Sequence, residues 1–135
     1  MLNAIINKEQ LMTGSTKAAQ FLHENVSWKL LLDFFIRENS FLKTRLSEVV
    51  DRETDNLFIA TAEQFQNNFI LKDEYILDIA NDIKGQELNL QLAITKKTIP
   101  DYATCKLQEK LRNEMSNLEK EFSILKNQFN TYCGQ

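Results

Sequence analysis

WKLLLDFFIRENSFLKTRL, Trp28 to Leu46, decides the fold. From Trp28 to Ile36 nearly every position is apolar, interrupted only by Lys29 and Asp33. Beyond Ile36 the stretch becomes a charged helix with one apolar stripe. Extended in both directions, the stripe reads Phe21, Asn25, Trp28, Leu32, Phe35, Asn39, Leu42, Leu46 and Val49. These positions alternate in steps of four and three, the repeat that keeps one helical seam facing a partner. The spacing predicts a first helix from about Thr16 to Asp51.

Asn25 and Asn39 occupy seam positions. A buried Asn weakens packing but fixes register, because a shifted partner leaves its amide unpaired. Both are candidate register-setting residues. Outside the seam, Leu22, Leu30, Leu31, Phe34, Ile36 and Phe41 are also apolar. Fully burying a Leu or Phe contributes about 1.5–3 kcal/mol, so leaving all of them in water forfeits much stability. The helix is therefore expected to be covered on more than one side. The candidate covers are the N-terminal segment, the 86–97 section folding back, or a second subunit. Leu30, Leu31, Phe34, Ile36 and Phe41 are the candidate interaction residues.

The rest of the chain has the same grain. It has 135 residues, 43% of them apolar and 26% charged, with three Gly and one Pro. Turns depend on Gly and Pro, so a chain this poor in both has few turns and long elements. One domain spanning 1–135 is expected, with residues 1–15 either flexible or a short helix, followed by a break at Thr13–Thr16 at which Ser15 or Thr16 serves as the N-cap of the first long helix. Asp51 to Asp55 reads as a tight connection in which Asp51, Thr54 or Asp55 caps the next helix. The second stripe runs Phe58, Ala62, Phe65, Phe69, Lys72, Ile76, Ile79 and Ile83. Its register continues past Gly85 through Gln86, Leu90 and Ala93, which favours one helix reaching about Lys97 with a bend at Gly85. The alternative is a fourth, short helix at 86–97. Thr98–Asp101 is the clearest boundary, because Pro100 disfavours helix before it and suits the first turn after it. The third stripe is Leu111, Met115, Leu118, Phe122, Leu125, Phe129 and Tyr132. The expected fold is all-α: an antiparallel up-down bundle of three long helices with coiled-coil-like packing.

The charge pattern limits function. The net charge is −3, with no clustered Lys and Arg, so no nucleic-acid partner is expected. Residues 51–85 carry 3 basic and 8 acidic groups, against 6 and 5 in residues 1–50. This acidic segment reads as a solvated helix face, with a docking surface for a basic partner as the alternative. The N-terminus lacks the pattern of a signal peptide, and no run is long and apolar enough to span a membrane. Cys105 and Cys133, on one helix, stand about 40 Å apart, beyond disulfide reach. Two free thiols fit a reducing compartment, so a cytoplasmic location is expected. The sequon Asn25-Val26-Ser27 lies inside a helix and is read as chance.

No catalytic constellation emerges. The layout is similar to hemerythrin-like and ferritin-like bundles in architecture alone, because their multiple His or paired Glu-x-x-His motifs are absent. His23 is the single histidine and follows Gln20 at the relevant spacing. Cys–His chemistry would need Cys105 or Cys133 brought to His23. Gly-rich phosphate loops and Cys-x-x-Cys pairs are missing. No cofactor, metal, membrane or catalytic role is therefore expected. The expected function is protein–protein interaction, as an adaptor, small regulator or assembly component, with a homodimer favoured. The alternative is a four-helix-type bundle binding a small ligand or a metal through carboxylates.

Overall fold

The computed structural model describes residues 2–134, with side chains described from Thr16 onward. Three helices follow one another: α1 (Leu2–Asp51), α2 (Asn56–Lys96) and α3 (Tyr102–Gly134). The direction of each follows from its cross-helix bonds. Lys29 of α1 meets Glu87 of α2, while Asn39 and Lys43 meet Asp73, so α1 and α2 run antiparallel. Glu24 of α1 meets Arg112 of α3 and Glu38 meets Lys126, so α1 and α3 run parallel. Gln86 meets Gln108 while Lys72 meets Glu121, which sets α2 against α3. The result is the up-down-up helical bundle expected from the sequence.

Local chemistry sets the boundaries. α1 ends where Arg52 and Glu53 donate back to Val49 and Val50. Asp55 caps α2, its carboxylate accepting the backbone N–H groups of Leu57 at 2.8 Å and Phe58 at 3.1 Å. At the far end Lys97 adopts the left-handed conformation, with φ 55° and ψ 41°. The N–H of Thr98 then reaches the Ala93 carbonyl at 2.9 Å, the closing bond of a helix C-terminus. α3 opens at Tyr102 rather than Pro100, because Asp101 accepts the Thr104 N–H at 2.8 Å and serves as the cap.

The favoured reading of one long second helix holds: α2 runs unbroken through Gly85, and no separate helix occupies 86–97. A Gly inside a helix loses only about 1 kcal/mol against Ala, and the buried residues Ile83, Gln86, Leu90 and Ala93 on either side of it outweigh that. The break at Thr13–Thr16 is absent as well, since α1 is continuous from Leu2 and no N-cap is needed at Ser15 or Thr16.

The stripes read from the sequence are the buried ones. Along α1, Phe21, Asn25, Leu32, Phe35, Asn39, Leu42 and Leu46 are buried, with Trp28 and Val49 half-buried. The core has two parts. The larger is rich in aromatic rings: Phe69 packs edge-on to Phe129 at 5.2 Å, and Phe35 meets Phe122 at 5.0 Å. The smaller, nearer the α2–α3 turn, holds Ala18, Phe21, Leu90 and Ala93.

Candidate functional site

The two parts of the core are separated by a layer of carboxamides, one from each helix. Asn25, Gln86 and Gln108 are all fully buried. The Gln108 Nε2 donates to Asn25 Oδ1 at 2.9 Å and to Glu24 Oε1 at 2.8 Å. Its Oε1 accepts from Gln86 Nε2 at 3.1 Å, which also donates to the Thr104 carbonyl at 2.7 Å. Gln108 thus ties α3 to both neighbours. Asn25 Nδ2 and Gln86 Oε1 have no partner. Asn39 forms a second tie: its Nδ2 donates to the Phe69 carbonyl and to Asp73 Oδ1, both at 2.7 Å, and locks α1 to α2. A slip along any of these helices would strand fully buried amides, which costs about 1–3 kcal/mol per group. Asn25 and Asn39 therefore occupy the positions that a register-setting role requires. Burial of Asn25 also removes it from the reach of a glycosylating enzyme.

Glu24 closes the layer toward solvent. Burial pushes its carboxyl up, but hydrogen bonds from Arg112 and Gln108, with the Arg112 charge, outweigh that and hold it below its ordinary value. Lys29–Glu87 at 2.7 Å, Lys72–Glu121 at 2.6 Å and Lys126–Glu38 at 2.6 Å continue the belt of cross-helix pairs. Exposed pairs of this kind contribute about 0–1 kcal/mol each, so they orient more than they stabilise.

The same belt explains which apolar residues of α1 are covered. Glu24, Leu31 and Glu38 follow one another at intervals of one heptad, along the line where α3 lies, and Leu31 is half-buried against the main core. Lys29, Ile36 and Lys43 follow the α2 line in the same way, and Ile36 remains 45% exposed. Leu30, Phe34 and Phe41 lie on neither line and are 67%, 52% and 61% exposed. Of the three covers expected, the two drawn from the chain itself leave Leu30, Phe34 and Phe41 exposed. The sections proposed as covers are parts of α1 and α2 themselves. Asp33, Arg37 and Glu48 accompany the exposed residues, and none of the three makes an ion pair among the described residues. Phe41, Arg45, Glu48, Val49 and Arg52 line a shallow groove of about 410 Å³ together with Thr44 and with Cys133 of α3.

The chemical candidates are not brought together. Cys105 packs against the small cluster of Ala18, Phe21, Leu90 and Ala93 and its thiol donates to the Pro100 carbonyl, while His23 is exposed. Both cysteines are free thiols on α3. Among the described residues, no three His, Cys, Asp or Glu side chains cluster as metal ligands would. No helix among them is long and apolar enough to cross a membrane. Comparison of the chain with protein-family models, with curated proteins and with solved structures found no match.

Proposed function

We propose that this protein acts through protein–protein contacts made by the outer face of α1, as an adaptor, small regulator or assembly component rather than an enzyme. One observation carries this reading: Leu30, Phe34 and Phe41 stay more than half exposed on a helix whose other side is fully engaged in the core. Exposed single apolar residues are ordinary, but two aromatics and a leucine within three turns of one helix form a contiguous patch. Covering each contributes about 1–2 kcal/mol, given how much of it is exposed. The unpaired Arg37 beside them adds the residue type most enriched, with aromatics, at interface centres. The face belongs to a rigid scaffold, because Phe35 directly behind Phe34 is anchored on Phe122. Two free thiols support a reducing, cytoplasmic setting for this role.

The test is capture from a lysate of the native cell, with wild type and a Phe34→Ser/Phe41→Ser variant as baits, beside light scattering of each alone. The reading expects a partner, foreign or self, that the variant loses. A strictly monomeric wild type with no partner and a co-purifying small molecule would sink it.

A further inference from the structure

We infer that the outer face of α1 pairs with the same face of a second copy of this chain, antiparallel, about a two-fold axis level with the peptide bond between Phe35 and Ile36. This inference rests on the interaction reading above and names its partner.

The first support is a second repeat on α1. Ser27, Leu30, Phe34, Arg37, Phe41 and Thr44 recur at steps of three and four on the side turned away from the core, and all six are exposed. That spacing is the spacing of a coiled-coil seam, so the helix carries one seam for its own bundle and another facing outward. In the antiparallel pair each seam position meets the one that mirrors it across the axis. Leu30 of one copy lies opposite Phe41 of the other. Phe34 lies opposite Arg37, whose guanidinium stacks on an aromatic face. Ser27 lies opposite Thr44. Their hydroxyls already donate to the His23 and Ser40 carbonyls of their own helix, at 3.3 and 3.1 Å, so covering them strands no donor. A slip of one heptad in one sense sets Leu30 against Glu48, and in the other sets Arg37 against Ser27.

The second support is charge. Asp33, Arg37 and Glu48 lie on this face, and none of them makes an ion pair among the described residues. In the same antiparallel register Arg37 of one copy comes within one residue, about 1.5 Å along the axis, of Asp33 of the other, on the same flank. Glu48 lies opposite His23, whose ring N–H can donate to it. Parallel pairing of the two faces puts Arg37 on Arg37 and Glu48 on Glu48, and like charges oppose it. One register thus satisfies the apolar pairs, the hydroxyl pair and the charges together. A face made for an unrelated partner has no reason to complement itself. The contact uses one patch of each copy, so it closes at the dimer.

Sedimentation velocity over about 1–500 µM reads the contact, whose size places it among small interfaces. The wild type is expected to pass from monomer to dimer, and no further, as concentration rises. Asp33→Arg leaves cations facing each other across the contact, and Arg37→Asp leaves anions. Each variant alone should raise the dissociation midpoint at least about tenfold. An equimolar mixture of the two variants restores opposite charges at both sites, which only contact between chains can do, and should associate within about fivefold of the wild type. Both residues are exposed, and far-UV circular dichroism confirms that each variant folds. Three results overturn the inference. These are a wild type that stays monomeric or grows past the dimer, single variants that associate as the wild type does, and a mixture no better than its components. A monomeric wild type that still captures a foreign partner through Phe34 and Phe41 removes the self-contact and leaves the α1 reading standing, whereas a dimer that Phe34→Ser/Phe41→Ser leaves intact sinks both.

Discussion

Replacing Gln108 by leucine isolates the energetics of the carboxamide layer. Leucine has nearly the same volume, so packing changes little. What changes is satisfaction. Asn25 Oδ1 loses its donor, and because Asn25 Nδ2 already lacks a partner, the whole fully buried carboxamide is left unpaired. Gln86 keeps its bond to the Thr104 carbonyl, and Glu24 keeps Arg112. One newly orphaned buried group costs about 1–3 kcal/mol, partly offset by the apolar surface that the introduced leucine buries. A net loss of about 1–2 kcal/mol is expected. The triple variant Asn25→Leu/Gln86→Leu/Gln108→Leu removes the orphaned groups with their partners, and such exchanges are neutral or stabilising. It should equal the wild type or exceed it by up to about 3 kcal/mol. Urea unfolding at neutral pH, followed by circular dichroism with the m-value checked for constancy, reads both. A triple variant less stable than the single one, with losses that add, would refute the view that these amides set register at the expense of stability.

Three further outcomes follow from the geometry. Lys97→Gly should stabilise the chain by about 0.5–1 kcal/mol in the same assay, because Lys97 is a non-glycine residue held at positive φ and its N–H and carbonyl roles at the cap are kept. Glu24 has a folded pKa below its unfolded value, so its contribution is present above the unfolded value and fades as pH falls through the folded one. Glu24→Gln should therefore flatten the loss of stability below about pH 4.5 by less than about 1 kcal/mol, given the partial exposure of the pair with Arg112. At the opposite limit, burial pushes the Tyr132 phenol above its ordinary value while its hydroxyl donates to the Phe58 carbonyl at 2.7 Å. That contribution is full below the unfolded value of about 10 and is lost as pH rises through the folded one. Burial and the charges of Glu114 and Glu121 raise Tyr75 as well, so absorbance titration at about 295 nm of wild type against Tyr132→Phe should show one of two late-titrating phenols disappear.

How much of this was legible in the sequence depends on residue chemistry at seam positions. The stripes of all three helices could be read because apolar residues at steps of three and four have one face to bury. Asn25 and Asn39 were found because apolar neighbours bracket them. Gln108 and Thr104 were not, because the apolar stripe of α3 begins at Leu111 and a polar residue beyond its end looks like a boundary. Counting back from Leu111 in steps of three and four reaches both, and that signal was available. Gly85 and Gly14 looked like punctuation, yet a helix runs through both, because a lone glycine costs it only about 1 kcal/mol. The exposure of Phe34 and Phe41 could not be read from α1 alone. Which apolar line of a helix is covered depends on where its neighbours lie, and only the pairing of Glu24, Glu38, Lys29 and Lys43 with specific residues of α3 and α2 decides that.

The placement of the exposed face relative to the core gives the arrangement a physical logic. We propose that carboxamides that tie three helices together serve less to add stability than to remove the freedom to slip by a heptad, a hazard for stripes as regular as these. Register matters most where an interface must be presented. A slip of α3 along α1 would move Glu38 away from Lys126 and change what covers the flank of Phe34 and Phe41. The aromatic part of the core, with Phe35 on Phe122 and Phe65 on Phe129, stands behind the α1 face and supplies stiffness. The carboxamide layer lies a few turns away along α1, and on this proposal it supplies uniqueness. A bundle selected only for stability would fill Asn25, Gln86 and Gln108 with leucine. One that must hold Phe34, Arg37 and Phe41 in a fixed constellation for a partner gains from keeping them polar.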